Sequence, residues 1–470
     1  MRLGDGGRGR RIRQRIVRDR VKIGDGNGNV SIPNTSMVFA RRGDNLMLVD
    51  NLLNLPLTEG QLFFARRYGD QVLDRWYLEA ERKTCAVFNY IYHVAGKVPG
   101  DVGEPYPGKP LPEQVSGGPA TAFDIASTFF GAVCADKSVN GVFYVLDSGW
   151  MNPDNFSLPV VPRSYCVIKV DQSGIATRIA GDGWVVGGFL GEEWFEPDEG
   201  VVGLNGPAVS ARFNYAASMD IDYNGNLYLG LGTKVDGSSG NQFGKDRGLI
   251  LRVDSTSGII TRIFGQLGYA PGVLGDDNNV PSASARSGGH IPDLHVHPDG
   301  SLYFCDLYNN KIKRISPPLD GTGIVTTVAG NGSTGPTVDG PATSTPVQFP
   351  VSITSNGLGD LFFIAGPGTP KVFRLRDGIV EHVAGAGLSG DYSGEGGDAK
   401  LATIVPKRLA GDRVCDSVYI GNIGTTPAIS NRILLVSGGK VTTILGGGGE
   451  YTGVSVVPSV ESVGPSTSMG

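Results

Sequence analysis

The side chains best suited to metal or acid–base chemistry in this sequence are five histidines, and they are scattered along the chain. They are His93, His290, His295, His297 and His382. A protein metal site gathers three or more ligands, and the sequence contains neither H-E-x-x-H nor C-x-x-C. It therefore predicts no catalytic residue, no metal and no cofactor.

One segment imitates the start of a calcium-binding loop. DIDYNGN (220–226) matches D-x-D-x-N-G, but the twelfth position, where that loop needs a bidentate glutamate, is Leu231. We therefore predict a β-hairpin with Asn-Gly at its tip. Calcium ligation by Asp220, Asp222 and Asn224 stays open as the alternative.

The N-terminal arm carries the sharpest charge feature. Within residues 1–22, basic side chains face only two acidic ones, Asp5 and Asp19. Either this arm is simply solvated, or it binds an acidic partner or nucleic acid. The arginines assigned to partner binding are Arg8, Arg10, Arg11, Arg13, Arg15, Arg18 and Arg20.

Bulk properties narrow the partner classes. The net charge of −5 disfavours nucleic acid as the main partner, and no apolar run is long enough to span a membrane. If Met1 is the natural start, the lack of an apolar leader predicts cytoplasmic synthesis and no secretion signal.

A closing phrase recurs six times and sets the architecture. GIVTTVAGNG (323–332) is its clearest copy, and the closing glycines fall at 96, 181, 265, 330, 385 and 446. Upstream of each copy lies a turn followed by alternating apolar residues, as in NGNLYLGL (224–231) and DGSLYFCD (299–306). With a third strand between them, each unit predicts four short antiparallel strands.

A lone sheet of this kind has two apolar faces and two open edges, so it needs neighbours. When such sheets are arranged radially, each sheet covers the apolar face of its neighbour and leaves only short edges. We therefore predict an all-β, six-bladed β-propeller of four-stranded antiparallel blades. Predicted regions are a basic arm (1–35), the propeller (36–460) and a flexible tail (461–470).

DLYNNKIKRIS and GIVTTVAGNG, together with the connecting phrase GPATSTPVQFP (340–350), resemble the NHL-repeat family of β-propellers. The resemblance covers roughly residues 36–446 and is weakest at 36–96, where a long insert separates the two phrases. It implies a propeller whose ligands bind near the axis. Some relatives of that family are metal-dependent lyases or lactonases, and others bind RNA.

The axial positions and one loop supply the remaining candidates. His290, Lys407 and Arg408 are predicted near the axis. In the loop 182–203, four aromatic side chains are unusual for a polar linker, so we expect the loop either to fold over the ring or to be buried in an interface. They are Trp184, Phe189, Trp194 and Phe195.

These features favour a non-catalytic propeller that makes protein–protein contacts within a large assembly. A bacteriophage tail or other virion component is the narrower hypothesis. The alternatives are a metal-dependent lyase or lactonase with an axial site and, third, an RNA-binding NHL disc.

Overall fold

The computed structural model divides the chain into two compact units, one of Met1–Ile91 with Asp412–Asp416 and one of the remaining residues. In the first unit it describes strands alone, at 38–42, 45–49, 63–65 and 76–78. The other described residues are 116–120, 132–139, 141–147, 165–182, 201–213, 216–232, 248–266, 275–388, 390–412, 415–423 and 432–446. Of these, Asp412, Cys415 and Asp416 belong to the first unit and the rest to the second. Within these residues no helix is long and apolar enough to cross a membrane.

The first unit contains two separate antiparallel pairs. Strand β1 (Val38–Arg42) pairs with β2 (Asn45–Val49), and β3 (Phe63–Ala65) pairs with β4 (Trp76–Leu78).

The prediction of six blades is wrong: the described residues form five. In the 36–96 segment, the two strands of the insert pair with each other rather than extending the preceding hairpin into a four-stranded sheet. Pairing between these two strands uses backbone groups that a blade would need for its third and fourth strands.

The second unit holds five antiparallel blades, so the propeller prediction is confirmed at the level of the fold. Blade 1 consists of β5 (Ser116–Pro119), β6 (Val133–Ala135), β7 (Phe143–Asp147), β8 (Cys166–Val170) and β9 (Ile175–Ala180). A two-stranded sheet of β10 (Val201–Val202) and β11 (Arg212–Phe213) follows it. Blade 2 consists of β12 (Ala216–Ile221), β13 (Leu227–Leu231), β14 (Ile250–Val253) and β15 (Ile260–Phe264).

The remaining three blades follow the same order. Blade 3 consists of β16 (Leu294–Val296), β17 (Leu302–Asp306), β18 (Lys311–Ile315) and β19 (Val325–Ala329). Blade 4 consists of β20 (Gly340–Pro341), β21 (Ser352–Ser355), β22 (Leu361–Ala365), β23 (Lys371–Arg376) and β24 (Ile379–Ala384). Blade 5 consists of β25 (Pro406–Gly411), β26 (Ser417–Asn422), β27 (Arg432–Ser437) and β28 (Lys440–Gly446). Short 3-10 turns occupy Ala208–Ser210, Ser282–Ser284 and Ala399–Leu401.

Side chains at the first hairpin of a blade fix the strand register. In blade 2, Oδ1 of Asp222 accepts hydrogen bonds from the backbone N–H groups of Asn224 (2.8 Å) and Asn226 (2.9 Å). In blade 4, Oδ1 of Asn356 accepts from Leu358 and Asp360 in the same way. Asp and Asn form such turns because their short side chains reach the backbone two residues on.

The closing glycines connect each blade to the next. Gly330 has φ +92°, and a Cβ there would lie 2.3 Å from the carbonyl oxygen of Asn310. The N–H of Gly330 donates to the carbonyl oxygen of Ala342 (2.9 Å) in the segment that leads into blade 4. The N–H of Ala342 in turn donates to the carbonyl oxygen of Gly378 in blade 4. The recurring phrase therefore marks a place where only glycine fits against the neighbouring backbone.

The innermost strands gather around one axis. Strand β12 contacts β6 and β16, β16 contacts β21, and β21 contacts β25. Arg408 on β25 reaches further, donating to the carbonyl oxygens of Pro292 (3.0 Å) and Ala217 (3.2 Å). The apolar cores lie between successive blades, as where Phe362 and Ile364 of blade 4 pack with Val418 and Ile420 of blade 5.

Candidate functional site

Side chains on or next to the innermost strands of blades 2, 3 and 4 tie each of these blades to the backbone of the next blade. Oδ2 of Asp220 accepts a hydrogen bond from Val296 N (2.7 Å), and Oδ2 of Asp293 accepts one from Ile353 N (3.0 Å). The Thr354 hydroxyl accepts from Gly411 N (3.0 Å). Blades 2, 3, 4 and 5 are thus joined in series around the axis by side chain-to-backbone bonds.

A buried ionic cluster surrounds Asp220. Its Oδ2 lies 2.7 Å from Nζ of Lys137 in blade 1 and 3.0 Å from Nδ1 of His295 in blade 3. Burial alone would raise the pKa of Asp220, but the Lys137 ammonium and the His295 imidazole outweigh that effect and hold it well below its usual range. Asp220 is therefore ionised at neutral pH.

The cluster continues through His295 into blade 4. Nε2 of His295 lies 2.7 Å from Oγ of Ser355, so Asp220, His295 and Ser355 form one chain across three blades. Burial, aided by the Lys137 charge, lowers the pKa of His295 although Asp220 opposes the shift. The imidazole is therefore neutral, with a proton on Nδ1 facing the carboxylate and Nε2 accepting from the serine hydroxyl.

A second axial cluster involves Arg408, one of the predicted axial residues. Its guanidinium lies 3.4 Å from Oδ2 of Asp293, and that oxygen also accepts from the Ser352 hydroxyl (2.7 Å). Burial raises the pKa of Asp293 even though Arg408 and these hydrogen bonds oppose the shift. Arg408 is directed inward to these partners, whereas the neighbouring Lys407 is exposed.

His290, the other predicted axial residue, precedes β16 and packs closely on blade 2. A Cβ added at Gly232 would lie 2.0 Å from Nδ1 of His290. Burial, together with the Arg408 charge, lowers the pKa of His290 to about 4. The residue is therefore neutral at physiological pH.

The two aspartates of the calcium alternative point to different partners. Asp220 bonds to the axial cluster, whereas Oδ2 of Asp222 accepts from the Asn226 amide (2.8 Å) and the Tyr228 hydroxyl (3.1 Å). Asn224 uses its carbonyl oxygen to accept from the Ser255 hydroxyl. In the described part of the chain, no three His, Cys, Asp or Glu side chains are grouped to hold a metal ion.

Two sets of predicted contact residues lie outside the described residues. They are the seven arginines of the arm (Arg8, Arg10, Arg11, Arg13, Arg15, Arg18 and Arg20) and the four aromatic residues of the loop (Trp184, Phe189, Trp194 and Phe195). Conversely, sequence reasoning did not single out Lys137 or Ser355. Aligning the blades on their first hairpins would have placed both near the same end of an innermost strand.

One apolar surface was not predicted. Tyr419, Ile433 and Leu435 share one side of blade 5, here named the trailing face of blade 5. By strand register, Ile433 corresponds to Val372 of blade 4, which is buried in a cluster with blade 5 and with the segment 399–404 that precedes it. Ile433 is 39% exposed where Val372 is 0% exposed, and Tyr419 is half-buried where Phe362 is 3% exposed.

Comparison with known proteins adds no family. No family model matches the sequence, and no curated protein matches it. The chain is similar to an auxiliary nutrient binding protein from Bacteroides thetaiotaomicron, with 14% identity, a TM-score of 0.35, and coverage of 80% of this chain and 82% of that one.

Two further solved structures are similar over a shorter span. One is a structural genomics protein of unknown function from Bacteroides thetaiotaomicron (15% identity, TM-score 0.36, 60% of this chain and 55% of that one). The other is a catalytically inactive virginiamycin B lyase from Staphylococcus aureus with quinupristin (17% identity, TM-score 0.26, 48% and 54%). The chain spans about half the length of these two proteins, and at such scores the likeness carries no argument about function.

Proposed function

We propose that this chain is a propeller module of a larger protein assembly and that the trailing face of blade 5 docks another protein chain. The supporting observation is the exposure of Ile433 at the register position where blade 4 buries Val372. Soluble proteins rarely leave contiguous apolar surface uncovered unless it binds something.

The face itself indicates the kind of partner. Between blades 4 and 5, the equivalent positions are covered by the aliphatic face of a β-sheet, formed by Val418, Ile420 and Leu434. The trailing face of blade 5 has the same pleated surface with Tyr419 and Leu435 directly opposite each other. A partner presenting an aliphatic sheet face fits it in the way one blade fits the next.

The frame behind this face is suited to a structural role. Side-chain bonds tie the innermost strands of successive blades, and Arg408 links blade 5 to blades 2 and 3. Such ties hold the blades in fixed positions, so a partner meets a preorganised surface. The arginine arm and the aromatic loop are proposed as further contacts on sequence grounds.

The narrower proposal is a virion component such as a bacteriophage tail protein. It is tested by fractionating particles from the source and measuring the native mass of the chain in each fraction. The chain is expected in a complex much heavier than one 49.4 kDa subunit and, for the narrower proposal, in the particle fraction. A 49.4 kDa monomer in every fraction would contradict both.

A further inference from the structure

Beyond docking, we propose that Ser355 is a nucleophile activated by His295 and oriented by Asp220, able to hydrolyse small activated esters. The observation is the order and spacing of three side chains from three successive blades. Asp220 Oδ2 lies 3.0 Å from His295 Nδ1, and His295 Nε2 lies 2.7 Å from Ser355 Oγ. This is the arrangement by which a carboxylate orients an imidazole that in turn removes a hydroxyl proton.

The protonation states agree with those roles. Asp220 is ionised and holds the Nδ1 proton of His295, which leaves Nε2 as an acceptor toward the serine. Lys137 contacts the same carboxylate oxygen at 2.7 Å and disfavours a second positive charge on the imidazole. The resting histidine is therefore the neutral base that the reaction requires.

The neighbouring hydroxyls of the same strand have different partners. Thr354 accepts from Gly411 N, and the Ser352 hydroxyl donates to the Asp293 carboxylate. Of these three hydroxyls, the one on Ser355 is bonded to an imidazole, with 2.7 Å between its Oγ and Nε2 of His295. Ser352 thus provides a matched control, three residues away on β21 and bonded to a carboxylate instead of an imidazole.

The surroundings limit the substrate to a small acyl group. The His295 side chain is 14% exposed and Ser355 is 8% exposed, so the packing around the pair leaves little room for a substrate. Beside it, β25 packs so closely that a Cβ on Gly411 would lie 1.8 Å from the Ser355 carbonyl oxygen. An acetyl-sized ester is the class of substrate expected here.

The reaction has two steps. Ser355 Oγ bonds to the ester carbonyl carbon as its proton moves to His295 Nε2, and the leaving alcohol departs with that proton as its C–O bond breaks. Water then attacks the acyl-serine, passing a proton through His295 back to Ser355 Oγ. The net products are one carboxylic acid and one alcohol from one ester and one water.

The full chain is treated with a biotinylated fluorophosphonate, which forms a phosphonyl-serine with loss of fluoride, and the adduct is located by peptide mass mapping. p-Nitrophenyl acetate hydrolysis is followed in parallel. We expect one adduct at Ser355, none in Ser355→Ala, unchanged labelling in Ser352→Ala, and labelling at least about 100-fold slower in His295→Gln.

The wild-type result alone decides whether the serine reacts. No adduct at Ser355 in the folded chain would overturn the proposal, whatever the variants do. An adduct that forms equally fast in His295→Gln, with an unchanged melting temperature, would overturn activation by His295. Because labelling needs no partner, its failure leaves the docking proposal intact, and loss of docking leaves labelling intact.

Discussion

The ammonium of Lys313 lies 3.6 Å from the carboxylate of Asp306, and both side chains are completely buried in blade 3. The same ammonium contacts Oδ1 of Asp276 (2.7 Å) and the carbonyl oxygen of Asp277 (2.9 Å), which holds the segment preceding the blade. Asp306 in turn accepts from Gly288 N (2.8 Å). The buried pair of Lys313 and Asp306 therefore anchors both ends of the segment 276–288, which precedes blade 3.

Replacing Lys313 by Met should destabilise the propeller strongly. The methionine fills a similar volume but leaves the Asp306 carboxylate buried without its cation, which costs about 3 kcal/mol or more. The free energy of unfolding from urea denaturation measures this cost. The double variant Lys313→Met with Asp306→Asn should recover part of the loss, and a single variant as stable as wild type would contradict the assignment.

Replacement by alanine should destabilise the propeller more at a closing glycine than at another glycine with positive φ. Gly330→Ala places a methyl group 2.3 Å from a carbonyl oxygen, in addition to the strain of φ +92°. Gly378→Ala meets no atom within 4 Å at φ +74°, so it isolates the strain alone. We expect a loss of about 1 kcal/mol for Gly378→Ala and at least twice that for Gly330→Ala, measured by urea unfolding. Equal losses would show that close packing at the blade junction is unimportant.

Acidification should weaken the fold through His290. Its pKa is lowered to about 4 by burial and by Arg408, whereas an unfolded histidine titrates near 6.5. Between these values the unfolded chain binds the extra proton, so stability decreases as the pH falls from about 6.5 to about 4. His290→Gln should remove about 2 to 3 kcal/mol of that decrease. Urea midpoints at pH 7 and pH 4.5 measure it, and an unchanged pH dependence in the variant would contradict the prediction.

The sequence predicted the blades wherever short-range signals decide the structure. Turn residues such as Asp222 bond to backbone within four residues, closing glycines such as Gly330 supply a positive φ at their own position, and the strands they bound appear in the structure. At 36–96 the same phrases were present, but pairing between β3 and β4 of the insert prevailed. A local alternative of that kind is invisible to a search for repeated phrases.

The candidate site was less predictable, because it depends on contacts between residues far apart in the sequence. Lys137 meets Asp220 across 83 positions, and His295 meets Ser355 across 60. Neither pair forms a motif, and only the placement of innermost strands around the axis brings them together. The exposure of Ile433 likewise depends on which elements pack against it, and the residues around it in the sequence do not reveal it.

A charge placed on the trailing face of blade 5 should weaken partner binding, whereas a charge at an equally exposed position elsewhere should not. Ile433→Asp adds a charge to the centre of the proposed interface, whereas Ile379→Asp adds one at a position of blade 4 with similar exposure (41% against 39%). Burying an unpaired carboxylate against an aliphatic partner costs about 2 kcal/mol or more of binding free energy, a loss of about 30-fold in affinity.

The most direct test is therefore the native mass of the complex purified from its source with the wild-type chain, Ile433→Asp or Ile379→Asp in place. The docking proposal predicts a large complex for wild type and Ile379→Asp, and a released 49.4 kDa chain for Ile433→Asp. A complex that survives Ile433→Asp unchanged, or a wild-type chain that runs alone, would contradict it.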